Sequence, residues 1–178
     1  MLRAYYRIKL LKPSAWKEKA EELIAVAESL EPAILDHSET PPFHALNSAY
    51  LMLVSFAVEN FLKGALVARN RDRYKEFMLK TPERRFPLEL RSHDLLDLGR
   101  RLGLVFSEEE TRLVKRLSHA ATWSGRYPVP LRFSELPIGD DSFVFGEALP
   151  DDSFEIHKLF LRLEEELDLE DPPGADFL

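Results

Sequence analysis

Ala49-Tyr-Leu-Met-Leu-Val-Ser-Phe-Ala-Val58 is an almost continuous apolar segment of this chain. Apolar residues fill nearly every position, so a helix here has no polar face to leave in water, and such a helix belongs in a core. The flanking residues predict one long helix from Pro42 to Asn70, with Asn70 as its left-handed cap. A membrane span needs about 18 or more consecutive apolar residues, and Ser55 and Glu59 interrupt this run. We therefore predict the central helix of a soluble bundle.

Other helices are predicted where apolar residues recur at helical spacing behind a capping residue. Their predicted starts are Pro13-Ser14, Ser92, the capping box Ser107–Glu110, and Asp152 or Ser153. The predicted ends are Pro32 for the first, Gly103 for the one that Ser92 opens, and Trp123 for the one after the capping box. The fold class is therefore all-α, a mostly antiparallel four- to five-helix bundle whose second helix is long and central.

The remaining segments are predicted to be irregular. Residues 31–44 form a loop, and so does most of Arg71–Arg91, apart from a short helix from Tyr74 to Leu79. Residues 1–12 fit either a short edge strand or a helical lead-in, and Phe143-Val-Phe145 fits either a strand or a loop.

Length and composition predict a single domain over residues 1–178, with an uncertain lead-in at 1–13. The chain has no Cys, which excludes disulfides and thiolate metal sites. Met1–Lys12 lacks the apolar core of a secretory signal. These features favour a cytoplasmic protein.

Charge is distributed unevenly along the chain, whose net charge is -7. Residues 135–178 carry 14 acidic residues against Lys158 and Arg162, while residues 1–134 carry 22 basic and 17 acidic residues. The densest unopposed positive charge lies between Arg112 and Arg132. We therefore distinguish a basic body from an acidic C-terminal segment that contains the last helix.

Several common catalytic patterns are absent from the sequence. The five histidines show no zinc-helix spacing, no calcium-loop pattern occurs, and the seven glycines form no phosphate loop. Ser124-Gly125 lacks the flanking glycine of a nucleophile elbow. We predict neither a metal site nor a cofactor.

A polar stripe lies on the helix from Ser107 to Trp123. Residues seven apart are almost eclipsed on a helix, so Arg112 and His119 share a face, with Arg116 between them and Trp123 beyond. Such a stripe can hold phosphates, stack a base and supply a histidine acid or base. The alternative is a solvated basic face with a half-buried Trp.

Glu59 and Lys63 on the central helix form an i,i+4 pair, either a surface salt bridge or a more specific contact.

Three segments together resemble the HEPN family, the helical bundles known as higher-eukaryote and prokaryote nucleotide-binding domains. They are Ala57-Val-Glu-Asn-Phe-Leu-Lys-Gly-Ala-Leu66, Ser92-His-Asp-Leu-Leu-Asp-Leu98 and Trp123-Ser-Gly-Arg-Tyr-Pro128. The resemblance covers about residues 15–167 and implies a helical bundle, usually a homodimer. Some members are metal-independent ribonucleases, and others bind nucleotides or proteins without cleaving.

The resemblance also implies roles for individual residues. Arg112 and His119 match the nuclease signature, with Glu59 supporting the histidine, and His93 matches the opening of the family's third helix as a cap. Nucleotide or RNA contacts are expected from Lys63, Arg116, Trp123, Arg126 and Tyr127.

Three functions stay open at this point. The first is a homodimeric module that binds nucleotide or RNA without established catalysis. The second is a metal-independent endoribonuclease of a toxin-antitoxin or defence system that uses Arg112 and His119, with an antitoxin or a nucleotidyltransferase as its partner. The third is a non-catalytic protein-interaction module.

The charge asymmetry suggests a further hypothesis. The acidic segment, through Glu164-Glu-Glu166 and the acids near Asp140 and Asp151, lies against the basic segments and competes with phosphate for them. The alternative is that the last helix leaves its acids in solvent, where exposed pairs contribute about 0 to 1 kcal/mol.

Overall fold

The structure is a computed structural model that describes residues 2–36, 42–80, 86–124 and 152–171. These residues form α1 (Leu2–Leu10), α2 (Pro13–Glu28), α3 (Glu31–Asp36), α4 (Pro42–Lys80), a 3-10 turn (Leu88–Arg91), α5 (Leu95–Arg101), α6 (Glu108–His119), a π-helical turn (Ala120–Ser124) and α7 (Asp152–Glu166). The described ranges contain no strand. The predicted all-α bundle is confirmed, and the N-terminal lead-in is helical.

The central helix is α4, which packs against α2, α3, α5, α6 and α7. Its side chains at Val54, Ala57, Val58, Phe61 and Leu62 are at most 1% exposed, so the apolar stretch lies in the core as predicted. The helix from Ala45 to Lys80 is long and apolar enough to cross a membrane, but 72% of its most apolar window is buried inside the protein. Its neighbours in the bundle therefore cover most of that apolar surface.

The predicted break in the central helix at Asn70 is present, but the predicted left-handed cap is wrong. Asn70 has the non-helical angles φ -119° and ψ 21°, which form a kink, and a second helical segment follows directly to Lys80. The Asn70 side chain donates to the carbonyl of Leu66 at 3.0 Å, a local bond that competes with regular helix geometry. Continuing the helix brings Tyr74 and Met78 into the core, at 1% and 7% exposure. The short helix predicted from Tyr74 to Leu79 lies within this second segment of α4, which is longer than predicted.

The predicted loop at residues 31–44 is also wrong where it is described, because α3 occupies Glu31–Asp36 and α4 begins at Pro42. Pro32 lies in the first turn of α3, where a missing backbone N–H costs nothing. With α1 and α3 present, the long helix is the fourth in the chain and not the second.

Gly64 allows α2 to lie close to α4. A Cβ atom at position 64 would lie 2.9 Å from Trp16 Cβ and 2.7 Å from Leu169 Cδ2. Residues 167–171 follow α7 and return to the start of α2, where the Ser14 backbone N–H and hydroxyl donate to the Asp171 carboxylate at 3.0 and 2.6 Å. The close approach of these elements explains a glycine in the middle of a core helix.

The starts of α5 and α6 position the functional region. The predicted capping box of α6 is confirmed, with Ser107 and Glu110 bonding each other's backbone N–H groups. The predicted cap Ser92 is wrong: Asp94 caps α5 by accepting from the Asp97 backbone at 3.0 Å, and Ser92 instead accepts from Asp94 N. Gly103, with φ 76°, follows α5 as predicted. The Phe143–Phe145 prediction lies outside the described residues.

Candidate functional site

Glu59 and Lys63 form a buried ion pair in the middle of α4. Lys63 Nζ donates to Glu59 Oε1 at 2.6 Å, and the two residues are 5% and 7% exposed. Interpreting the pair as a surface salt bridge is therefore wrong. A buried charge pair adds little net stability compared with apolar residues of the same size, since both charges lose their hydration. Its presence in the central helix calls for another role.

His93 extends this pair to the surface. Its Nδ1 lies 2.8 Å from Glu59 Oε2, and its side chain is 54% exposed. A hydrogen bond between Nδ1–H and the carboxylate fixes the ring orientation and assigns the proton-accepting role to Nε2 in the neutral ring. His93 is therefore not the helix cap that the sequence predicted, because Asp94 has that role. We call Glu59, Lys63 and His93 the charge cluster.

The end of α6 lies beside the charge cluster. The Leu95 backbone N–H, two residues after His93, donates to Ser118 Oγ at 3.0 Å. This bond joins the first turn of α5 to the last turn of α6, so His119 follows a residue that contacts the start of α5. His119 itself is half-buried.

Three residues on the outer side of α6 form what we call the α6 face: Arg112, Lys115 and His119. Arg112 and Lys115 are exposed, while Leu113, Val114 and Leu117 on the opposite side are buried. The predicted common face of Arg112 and His119 is thus compatible with the burial pattern of the helix. Arg112 lies 3.5 Å from Glu109, and both side chains are about two-thirds exposed, at 66% and 67%. Because exposed pairs exchange readily with solvent, Arg112 stays available to another anion.

Glu109 remains ionised next to Arg112. A hydrogen bond to its own backbone and a second one from Ser107 hold the pKa of Glu109 below its ordinary value. Glu109 therefore offsets part of the positive charge of Arg112.

Arg116 has a different environment from Arg112. Its guanidinium donates to both Asp152 carboxylate oxygens, at 2.8 and 2.6 Å, and Asp152 is 5% exposed. This is a bidentate, charge-assisted contact between α6 and the first residue of α7. In this structure a carboxylate thus occupies the position that a phosphate would take on Arg116. One acid of the C-terminal segment therefore lies against the basic helix, as the charge hypothesis expected, although it is Asp152.

Of the other acids named in that hypothesis, Asp140 and Asp151 lie outside the described residues. Glu166 binds Arg162 of its own helix at 2.7 Å. Glu164 and Glu165 are exposed on α7.

The structure thus brings together part of the predicted site. Glu59 and Lys63 bond each other, and His93 and Leu95 connect them to Ser118 in the last turn of α6. Arg112 lies about two turns from His119 along α6. The backbone of Trp123 lies in the π-helical turn, while its side chain and all of Arg126 and Tyr127 fall outside what the structure describes. Sequence reasoning missed the bond of His93 to Glu59, and it expected contact between the acidic and basic segments without identifying the pair Asp152 and Arg116. These partners are 34 and 36 residues apart, and no local pattern indicates such distant pairs.

Within the described ranges, no group of three or more His, Cys, Asp or Glu side chains could hold a metal ion. The exposed cations Arg112 and Lys115 can bind anions. His93 and His119, whose side chains are partly open to solvent, can exchange protons with a ligand.

Comparison of the chain with family models, curated proteins and solved structures gives no match.

Proposed function

We propose that this protein is a HEPN-like helical module that binds a nucleotide or RNA at the surface formed by His93 and the α6 face. The observation that carries the proposal is the charge cluster, in which a buried ion pair reaches solvent through one histidine, 2.8 Å from the carboxylate. Buried charges with a specific partner in a cleft are common at functional sites. The proposed role of Glu59 and Lys63 is to position His93.

The ligand would be held by two kinds of contact. The exposed cations Arg112 and Lys115 attract phosphate groups, and His93 can donate from Nε2 to a phosphate oxygen when the ring is protonated. Arg116 takes part only if the ligand displaces Asp152. The ligand is therefore proposed to contact Arg112 and Lys115 first. Arg116 contacts it only after Asp152 has been displaced.

The sequence resemblance supports the same function. It implies nucleotide or RNA binding by a homodimer, and an antitoxin or nucleotidyltransferase as a partner. Trp123, Arg126 and Tyr127 are proposed to extend the binding surface because they follow α6 directly in the chain.

The test is binding of a short fluorescein-labelled single-stranded RNA, and separately of ATP, at low salt. We expect the Arg112→Ala/Lys115→Ala protein to bind about tenfold more weakly than wild type, with the difference shrinking as salt rises. Lys17→Ala, which removes an exposed cation from α2, is the matched control and should bind like wild type. Equal affinity of the α6 variant and the control would refute the proposed surface. Absence of binding to either probe by wild type would favour a protein-interaction module.

A second candidate function, a metal-independent endoribonuclease, is favoured by the contact between Glu59 and His93. A carboxylate that orients a histidine is the arrangement used for general acid-base catalysis. In this version Arg112 stabilises the charge on the phosphate, while His119 or His93 transfers the proton of the 2′-hydroxyl.

The discriminating assay is RNA cleavage in the presence of EDTA. Cleavage by wild type that is lost in His119→Ala or His93→Ala, while RNA is still bound, would establish the enzyme. Unchanged RNA in the wild-type reaction together with tight binding would leave the binding module as the function.

A further inference from the structure

The outer side of α7 carries two exposed apolar residues. Phe154 is 69% and Leu161 53% exposed. Because residues seven apart share one helix face, both side chains lie on the same side of α7. The buried residues Ile156, Leu159 and Leu163 lie on the opposite side. This helix therefore packs on the bundle through one face and presents a second apolar stripe to solvent.

Charged residues border this stripe in a regular order. His157 and Glu164 lie along one edge, and Lys158 and Glu165 along the other, because each pair is seven residues apart. All four are exposed. Lys158 Nζ lies 3.7 Å from the carboxylate of Glu155, which is a long ion pair, and 66% of the Lys158 side chain is exposed. Each edge thus has a base in its N-terminal half and an acid in its C-terminal half.

This order determines which orientation of two such helices is favourable. In an antiparallel pair related by a two-fold axis, each edge meets the same edge of the other copy with its direction reversed. His157 then faces Glu164 of the second copy, and Lys158 faces Glu165. A parallel pair would instead place Glu164 against Glu165 and His157 against Lys158, which repel or fail to attract. The charges select the antiparallel arrangement.

We propose that the outer face of α7 binds the same face of a second copy of this chain, antiparallel, with the two-fold axis at Leu161. Positions 157 and 164, and positions 158 and 165, are symmetric about residue 161 to within half a residue. The two Leu161 side chains meet at the axis, and each Phe154 covers the end of the partner helix. Four complementary charge contacts surround this apolar centre.

Two neighbouring exposed apolar residues extend the surface on either side of α7. Val105, 82% exposed, accepts a hydrogen bond from Arg162 of α7 through its carbonyl. Leu35, 78% exposed, lies one turn after Glu31, which accepts from Ser153 of α7 at 2.6 Å. Among the residues that the structure describes, nine large apolar side chains are exposed, and four of these lie on or beside α7. Such a concentration marks an interaction surface more often than scattered single residues do.

The inferred interface does not depend on ligand binding. The α6 helix contacts α7 through the pairs Arg116–Asp152 and Glu110–Arg162, and Asp152 lies on the buried side, opposite Leu161. Lys158 lies near enough to lower the pKa of Glu109, but Glu109 is not a residue of the α6 face. Pairing through the outer face of α7 therefore needs no residue of the α6 face. The two ideas can fail separately.

The experiment is sedimentation equilibrium of wild type and charge variants over a range of protein concentrations at low salt. Lys158→Glu places like charges at two symmetric contacts and should weaken the dimer about tenfold, as should Glu165→Lys. The double variant Lys158→Glu/Glu165→Lys restores opposite charges and should dimerise like wild type. Such a rescue would not occur if these residues acted separately.

Leu161→Asp should abolish the dimer, while Leu79→Asp, at a 66% exposed leucine of α4, is the matched control and should not. Because these side chains are exposed, far-UV circular dichroism should be unchanged. A monomeric wild type, or single charge variants that the double variant does not rescue, would overturn the proposal. RNA binding by the monomeric variants, measured in parallel, shows whether ligand binding is retained without the dimer.

Discussion

Replacing Lys63 with Met removes one charge of the buried pair and leaves the Glu59 carboxylate in a site where that residue is only 7% exposed. Breaking a buried ion pair by removing one partner costs about 3 to 5 kcal/mol, because the remaining charge is desolvated without compensation. His93 still bonds the other carboxylate oxygen at 2.8 Å, so we expect the lower end of that range. Such a loss is a large share of the about 5 to 15 kcal/mol by which domains are stable.

The assay is equilibrium unfolding in urea at neutral pH, followed by circular dichroism. Lys17→Met is the control, because Lys17 and Glu21 form an i,i+4 pair on α2 in the opposite order, with side chains 42% and 56% exposed and 3.7 Å apart. It should cost less than about 1 kcal/mol. The double variant Glu59→Gln/Lys63→Met leaves no unpaired charge and should recover most of the loss. Equal losses of unfolding free energy in Lys63→Met and Lys17→Met would show that the burial of the Glu59–Lys63 pair does not determine the cost of removing one charge.

Three further outcomes follow from the described contacts. Gly64→Ala should cost about 1 to 3 kcal/mol in urea unfolding because its methyl group overpacks the contact with α2, while Gly103→Ala, with open space but φ 76°, should cost only about 1 kcal/mol. Burial raises the pKa of Asp171, but hydrogen bonds from Ser14 and the charge of Lys12 outweigh it and hold that pKa below its ordinary value. The stability contributed by Asp171 is thus present above about pH 4 and lost as pH falls further, and thermal unfolding of Asp171→Asn should show a flatter acid dependence than wild type. Asp152→Asn should free the Arg116 guanidinium and tighten RNA binding several-fold at low salt, an effect that Glu164→Gln/Glu165→Gln should not reproduce; no gain with Asp152→Asn would exclude competition between this carboxylate and phosphate.

The sequence predicted those parts of the fold that depend on local patterns. The apolar stretch from Ala49 to Val58, the capping box at Ser107 and the helix end at Gly103 are each determined within a few residues of chain. The errors occurred where a distant contact outweighs a local preference. The break at Asn70 agrees with its residue type, but its backbone is not left-handed, and the segment after it is helical from the next residue because Tyr74 and Met78 pack in the core.

The same distinction applies to the candidate site. The spacing of Glu59 and Lys63 predicted their contact, since both lie on one helix, but burial depends on the neighbouring helices and cannot be read from spacing. Ser92 and Asp94 are both good caps, and the sequence offers no means to choose between them. The choice of Asp94 leaves His93 outside the cap, where it reaches the Glu59 carboxylate.

The most direct test of the proposed ligand site is to follow the histidine side chains by NMR while RNA or ATP is added at low salt. We expect the imidazole signals of His93 and His119 to shift together, in proportion to bound ligand. His157, on the outer face of α7, is the internal control and should not respond to ligand. Binding that leaves His93 and His119 unchanged, or that shifts His157 instead, would contradict the claim that the charge cluster and the α6 face form the ligand site.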